Sequence, residues 1–177
     1  MDYEEKTKSV KNIFDGNIIK LRVETVELPD GKTATRELIS HGGGVGVIAV
    51  DENGEVFMVS QYRIAAREMM MEIPAGKIDN GEEPLECGKR ELIEETGYAA
   101  EEFTYLGTYY ATPGYCEEKL HLYLARKLKF VGQHLDEGEF LNVKKYKLDD
   151  LCNMVMENKI NDAKTAIAIL KAKMILG

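Results

Sequence analysis

Apolar and polar positions in the first third of the chain predict a series of strands. Residues 17–28 alternate roughly between apolar and polar side chains, and the turn residues 29–31 lead to a hairpin partner at 32–40. The short apolar run at 45–50 predicts a buried strand, and residues 55–63 predict another. Together these segments predict a β-meander.

The rest of the chain mixes strands with three helices. Residues 69–73 predict a short strand that leads into a turn at Pro74, Ala75 and Gly76, and a helix follows. The remaining predicted elements are strands at 103–111, 119–125 and 141–147, and helices at 84–96, 149–157 and 162–176. Strands around one central helix, with helices at the end, predict an α+β sandwich.

Length and charge restrict the classes of protein. A chain of 177 residues fits one domain with a real core. The formal net charge of −8 argues against a nucleic-acid partner and against an anionic membrane surface. The same charge does not argue against a phosphorylated substrate, because a bound cation reverses the local field.

The cysteines and the N-terminus predict a cytoplasmic protein. Cys87, Cys116 and Cys152 are odd in number and have no CxxC spacing, which favours reduced thiols over a disulfide framework. The first residues have no apolar core of the signal-peptide kind, and no stretch is long and apolar enough to span a bilayer.

Three carboxylates, Glu91, Glu94 and Glu95, fall on one face of the predicted helix. Like charges at these spacings destabilise an isolated helix by about 0.2–0.5 kcal/mol per pair. A divalent cation would offset that repulsion, since Mg²⁺ binds oxygen ligands. The alternative is that the glutamates form only a solvated helix face.

The residues around the cluster favour the cation. Glu83 and Pro84 open a helix, and Gly97 closes it as a left-handed cap. Gly88 lies inside the helix at a cost of about 1 kcal/mol, which predicts the close approach of a backbone or a ligand. The alternative is that Gly88 is a tolerated weak point of the helix. The pattern G-x5-E-x7-R-E-L-x-E-E-x-G-Y resembles the signature of the Nudix hydrolases at every defining position: Gly76, Glu82, Arg90, Glu91, Leu92, Glu94, Glu95, Gly97 and Tyr98.

The resemblance implies a fold and a reaction. The fold is an α/β/α sandwich of mixed sheets that carries the signature loop and helix, formed by residues 41–177. Residues 1–40 would form an N-terminal β-hairpin extension that serves dimerisation and is not an independent domain. Nudix hydrolases cleave a nucleoside diphosphate linked to another moiety, with water as nucleophile and divalent cations to neutralise the phosphates. The expected cofactor is Mg²⁺ or Mn²⁺, with more than one ion.

The resemblance also assigns roles within the signature. Glu91 and Glu95 are the first choices as metal ligands, Glu94 is a further ligand and a catalytic group, and the carbonyl of Ala75 is another ligand. Glu82 and Arg90 would form a structural ion pair, and Gly97 is structural.

A general base is expected in the acidic loop at residues 134–139. Related ADP-ribose pyrophosphatases carry functional glutamates in such a loop. The resemblance implies Glu137 as the base and Glu139 as an additional metal ligand. The alternative is a solvated acidic turn.

Residues outside the signature resemble the ADP-ribose pyrophosphatase subfamily. The segments carrying this resemblance are Gln61-Tyr62-Arg63, Glu72 to Gly76 and Thr112-Pro113-Gly114. By this likeness Arg63 contacts the diphosphate or the terminal ribose, and Glu72 accepts hydrogen bonds from adenine or ribose. Gly76 and Pro113 would also line the substrate site.

The same resemblance implies a homodimer with exchanged N-terminal strands, because an edge hairpin left alone invites pairing. Arg36 and Glu37 would line the adenine pocket of the partner subunit, and Glu118 would do likewise. The expected reaction is ADP-ribose plus water giving AMP plus ribose 5-phosphate. The alternatives are hydrolysis of another nucleotide sugar, such as ADP-glucose or GDP-mannose, and a nucleotide-sensing domain without catalysis.

Overall fold

The computed structural model describes residues 3–135, 138 and 140–177, and the chain divides into two compact units. One unit comprises the residues up to Gly43 together with Tyr110–Lys119. The other unit comprises Gly44–Tyr109 and Leu120–Gly177. Within the described part of the chain, no helix has the length and apolar character needed to cross a membrane.

The first unit is built on an antiparallel sheet of β1 (Lys6–Asp15), β2 (Ile19–Glu27) and β3 (Thr33–His41), in that order. The predicted β2–β3 hairpin is confirmed, and Gly31 closes its turn with a φ of +81°. Strand β1 was not predicted. All of its residues are exposed, and it forms an edge of the sheet.

The second unit holds the remaining elements and two sheets. A mixed sheet has the strand order β7-β4-β9-β8, in which β4 runs parallel to β9 and antiparallel to β7. An antiparallel sheet has the order β10-β5-β6. The strands are β4 (Gly44–Ala49), β5 (Glu55–Arg63), β6 (Glu68–Glu72), β7 (Ala75–Lys77), β8 (Tyr98–Tyr110), β9 (Lys119–Phe130) and β10 (Leu141–Lys147), and the helices are α1 (Pro84–Thr96), α2 (Leu148–Met156) and α3 (Ala163–Leu176).

Strand β4 is buried along its whole length because helices cover both faces of its sheet. Val45 and Val47 pack in one cluster with Leu92 of α1. Ile48 packs in a second cluster that includes Ile169 of α3. The predicted α+β sandwich of the α/β/α kind is therefore confirmed.

The predicted β-meander is wrong. Strands β4 and β5 are consecutive in the chain, but they belong to different sheets, and an isolated bridge joins Val50, the residue after β4, to Val56. Strand β4 instead pairs with β7 and β9, which come later in the chain. A continuously apolar strand carries no alternation from which its neighbours could be deduced.

Gly88 sets the distance between α1 and β4. A Cβ atom added at Gly88 would lie 2.9 Å from Cγ1 of Val45 and 3.1 Å from Cγ2 of Val47. The sequence predicted the close approach of a backbone or a ligand at Gly88, but in the structure two valine side chains approach it instead. This packing seats α1 on the sheet and brings its acidic face toward β7.

Candidate active site

Local signals fix both ends of α1. Glu83 precedes the helix in an extended conformation, and Pro84 occupies its first turn. Gly97 ends the helix with a φ of +79°, and its N–H donates to the carbonyl of Ile93 at 2.8 Å. The helix therefore spans the predicted residues, which fixes the directions of the three glutamates.

Glu91 lies directly over Gly76 of β7. A Cβ atom built on Gly76 would be 1.9 Å from the carboxyl carbon of Glu91. No positive φ is involved at Gly76, so space rather than backbone conformation requires glycine there. Any side chain at position 76 would displace the carboxylate, which is only 9% exposed as a residue.

Glu95 is fixed to the adjacent residue of the same strand. Its Oε2 accepts a hydrogen bond from the backbone N–H of Ala75 at 3.0 Å, and the residue is 2% exposed. Glu91 and Glu95, one helical turn apart, thus meet the backbone of β7 at Gly76 and Ala75. The structure brings together these four predicted site residues.

Arg90 connects the signature loop to the helix. Its Nε and Nη2 donate to the two oxygens of Glu82, each at 3.0 Å, which confirms the predicted ion pair. Its Nη1 donates to Oε1 of Glu91 at 2.7 Å and to Oε2 of Glu94 at 2.9 Å. These last two bonds were not predicted, and they offset part of the repulsion within the acidic cluster.

The ion pair changes the titration of Glu82. The hydrogen bonds from Arg90 lower the pKa of Glu82 to about 2, against the opposing effect of burial. A hydrogen bond from the backbone N–H of Asp79 at 3.1 Å adds to the effect. Glu82 therefore keeps its charge at any pH at which the protein would normally work.

The start of the acidic loop is held against the end of α1. The side-chain amide of Gln133 donates to the carbonyl of Glu95, and the backbone N–H of His134 donates to the carbonyl of Glu94 at 3.2 Å. The loop thus leaves the helix beside the acidic cluster. Glu137 and Glu139, the predicted base and extra ligand, lie outside the described residues.

The donor set at the cluster suits a hard divalent cation. Glu91, Glu94, Glu95 and the carbonyl of Ala75 offer oxygen atoms, which Mg²⁺ prefers. Among residues 3–135, 138 and 140–177, no group of three or more His, Cys, Asp or Glu side chains is arranged to hold a metal ion. Mg²⁺ keeps several of its waters and binds through one or two carboxylates, so a pair of glutamates beside a backbone carbonyl fits it.

A second charged cluster lies at the end of β6. Glu72 is 2% exposed and accepts two hydrogen bonds from Arg63, at 2.7 and 2.9 Å, and one from Lys164 of α3. Burial alone would raise the pKa of Glu72, but the bonds from Arg63 and the charge of Lys164 outweigh burial and lower it. Glu72 was predicted to bind adenine or ribose, but here its oxygens serve these two cations.

Lys164 was missed as a site residue. The segment Asp162 to Thr165 was recognisable as a helix start, but nothing in it indicated a partner 92 positions earlier. The nearby Thr165 hydroxyl also accepts a hydrogen bond from the N–H of Ile73 at 3.0 Å. The start of α3 therefore holds the segment that leads into β7.

The other predicted substrate contacts belong to the first unit. Arg36 on β3 donates to Glu5 at 2.8 Å, and Glu37 lies on the same strand opposite Val23. Pro113 lies in a turn closed by a hydrogen bond from the N–H of Tyr115 to the carbonyl of Thr112. Glu118 lies 3.6 Å from Nδ1 of His41.

Comparison with known proteins identifies the family. The NUDIX domain matches residues 40–168, and the nucleoside diphosphate sugar hydrolase N-terminal domain matches residues 5–39. The ADP-ribose pyrophosphatase of Bacillus subtilis is 44% identical over 168 residues, covering 94% of this chain and 91% of its own. The methanol dehydrogenase activator of Bacillus methanolicus is 42% identical over 169 residues, with the same coverage.

A solved structure of an ADP compounds hydrolase has the same fold, with a TM-score of 0.86 at 21% identity, over 98% of this chain and 94% of the other. The chain belongs to the Nudix family, and it is a hydrolase that acts on pyrophosphate bonds.

The lowered pKa of Glu82 predicts a pH-dependent contribution to stability. Its pKa falls from an ordinary 4.5 to about 2 on folding, so its stabilising effect is complete above pH 4.5 and is lost as the pH falls through the folded value. We expect Glu82→Gln to lower the free energy of unfolding by about 2 kcal/mol at neutral pH. Urea unfolding should show this deficit shrinking below about pH 4.5.

The matched control is Glu86→Gln, on the exposed face of the same helix, where Glu86 pairs with Lys89. We expect it to change stability by less than about 0.5 kcal/mol. A Glu82→Gln deficit that stayed constant from neutral to acidic pH would show that the charge of Glu82 contributes nothing.

Proposed function

We propose that this Nudix hydrolase cleaves the diphosphate of ADP-ribose in a Mg²⁺-dependent reaction, giving AMP and ribose 5-phosphate. The observation that carries the reaction is the meeting of Glu91 and Glu95 with the backbone of Gly76 and Ala75. The choice of ADP-ribose is supported by the similarity to the Bacillus subtilis ADP-ribose pyrophosphatase along nearly the whole chain.

In this proposal the acidic cluster holds the cation. Glu91 and Glu95 would bind it, with Glu94 and the carbonyl of Ala75 as further donors. When bound, the ion neutralises phosphate oxygens and lowers the pKa of its water. Mn²⁺ accepts the same oxygen donors, and we propose that more than one ion binds.

The chain's own residues then bind the substrate and prepare it for attack. Arg63 presents a planar guanidinium that is 40% exposed in its side chain, and we assign it to the diphosphate. Arg90 donates to both Glu91 and Glu94 and so reduces the repulsion between their charges. It also donates to Glu82, which links the two glutamates to the signature loop. We assign Glu137 as the general base and Glu139 as a further ligand. The support is that Gln133 and His134, just before these residues, are hydrogen-bonded to the carbonyls of Glu95 and Glu94.

We further propose that the enzyme is a homodimer in which Arg36, Glu37 and Glu118 contribute to the nucleotide site of the partner subunit, and that Pro113 lines the substrate site. The support is strand β1, an exposed edge with free hydrogen-bonding capacity and exposed apolar side chains at Val10, Ile13 and Phe14. A cytoplasmic location is part of the proposal, because Cys87, Cys116 and Cys152 are free thiols.

An assay of hydrolysis with several nucleotide sugars distinguishes the proposed function from two alternatives. Hydrolysis of ADP-glucose or GDP-mannose would use the same metal site with a different sugar pocket. A non-catalytic sensor of nucleotides would not need the geometry of Glu91 on Gly76, which the chain retains.

The substrate assignment predicts a ranked panel. With Mg²⁺, ADP-ribose should be hydrolysed with a kcat/KM about tenfold or more above that of ADP-glucose and GDP-mannose, and EDTA should abolish turnover. Glu95→Gln should lower kcat by about 100-fold or more, because it removes the charge of a proposed metal ligand while its amide oxygen can still accept from the N–H of Ala75. Products separated by chromatography should be AMP and ribose 5-phosphate.

Glu86→Gln again serves as the control, since it removes a carboxylate from the same helix outside the cluster, and it should retain full activity. A hexose nucleotide that outpaced ADP-ribose would overturn the substrate assignment. Full activity of Glu95→Gln would overturn the metal assignment.

The exposed edge predicts the assembly. Light scattering coupled to gel filtration should give about twice the chain mass of 19.9 kDa. Ile13→Lys places a charge in the exposed apolar part of β1 and should shift the protein toward the monomer. Lys11→Ala, on the same strand, should leave the dimer intact. A monomeric wild type would contradict the proposed shared site.

A further inference from the structure

Two cations share one buried carboxylate in the second unit. The two oxygens of Glu72 accept from Nε and Nη2 of Arg63, and one of them also accepts from Nζ of Lys164. The side chain of Glu72 is 3% exposed, so water contributes little to stabilising its charge. One cation would suffice to pair Glu72, and the structure supplies two.

The two cations differ in how firmly they are held. The Lys164 side chain is 12% exposed and also donates to Oδ2 of Asp162 at 2.9 Å. Asp162 is itself fixed as the N-cap of α3, where it accepts from the N–H of Thr165 at 3.0 Å. The ammonium group of Lys164 is therefore held by two carboxylates, those of Glu72 and Asp162.

Within the described part of the chain, the side-chain hydrogen bonds of Arg63 go to Glu72 alone, and its side chain is 40% exposed. The bonds to Glu72 are the main cause of its raised pKa, burial opposes them, and the charges of Glu95 and Asp162 add to the rise. Arg63 thus lies within electrostatic reach of a proposed metal ligand. Because its side chain is 40% exposed, the guanidinium of Arg63 is accessible to an anion that arrives from solvent.

Moving Arg63 alone would have different consequences with and without Lys164. A buried carboxylate that loses its partner is strongly destabilising. With Lys164 in place, Glu72 remains paired after Arg63 departs. Without Lys164, Arg63 would be the sole compensation for Glu72 and could not be released to another anion.

We propose that Lys164 is a positioning residue that holds the charge of Glu72, so that Arg63 can exchange Glu72 for the diphosphate of the substrate. The inference deepens the proposed function, on which it rests for the identity of the diphosphate ligand. The exchange moves no proton and breaks no covalent bond. It converts a resting ion pair into a substrate contact.

The test compares Lys164→Met with wild type in steady-state hydrolysis of ADP-ribose and in calorimetric binding of inorganic pyrophosphate with Mg²⁺. We expect KM to rise about tenfold and pyrophosphate affinity to fall by a similar factor, with kcat within about twofold. Lys164→Arg should restore both values, because it returns the charge.

A charge cycle isolates the route of the effect. If Lys164 acts through Glu72, then Lys164→Met should change KM by less than about threefold when introduced into Glu72→Gln, because no buried charge remains to be held. Lys171→Met is the matched control on the same helix, since Lys171 donates to the hydroxyl of Tyr109 at 2.9 Å and does not bind Glu72. It should lower the thermal midpoint without changing KM.

Failure of this inference is distinct from failure of the proposed function. If wild type does not hydrolyse ADP-ribose, the proposed substrate is wrong, and pyrophosphate binding alone decides the role of Lys164. Unchanged KM and pyrophosphate affinity in Lys164→Met would overturn the inference. An equal loss of affinity in the Glu72→Gln background would also overturn it, because Lys164 would then act independently of Glu72.

Discussion

The close contact between Gly76 of β7 and the carboxylate of Glu91 is the constraint on which the site depends. It requires α1 to lie almost against the strand, and the chain meets this requirement with glycine on both sides. Gly88 lets the helix settle on Val45 and Val47, and Gly76 leaves room for the carboxylate itself. With the helix at this distance, Glu95 reaches the N–H of Ala75. The position of the acidic face against β7 is thus set by packing, as well as by which residues the helix carries.

Burying carboxylates beside a sheet costs desolvation energy and brings like charges together. Two arginines, Arg90 and Arg63, offset this cost. Arg90 donates to Glu82, Glu91 and Glu94 from one guanidinium. Arg63 does the same for the buried Glu72, with Lys164 as a second cation. Buried charges persist only when they are paired and hydrogen-bonded. The two clusters leave the site charged but ordered, which suits a cation and a diphosphate.

Features that depend on residues close together in the chain could be predicted from the sequence, whereas features that depend on distant residues could not. Helix α1 was predicted to the residue because Pro84 and Gly97 are local signals. The Glu82–Arg90 pair came from the family resemblance and is confirmed. The partners of β4 could not be predicted, since β9 pairs with it from more than 70 positions away. The role of Lys164 could not be predicted for the same reason, because tertiary folding alone brings it to Glu72.

The most direct test of the account is the binding of Mn²⁺, followed by its electron paramagnetic resonance signal, to wild type and to Gly76→Ala. The added methyl group would occupy the space of the Glu91 carboxylate, which is the movable end of a side chain, so the fold should survive while the ligand is displaced. We predict an affinity about tenfold lower or worse, with the far-ultraviolet circular dichroism unchanged. Gly114→Ala, where an added Cβ meets nothing within 4 Å, should bind as wild type does. Undiminished Mn²⁺ binding by Gly76→Ala would contradict the account, because the contact of Glu91 with Gly76 would then have no part in holding the cation.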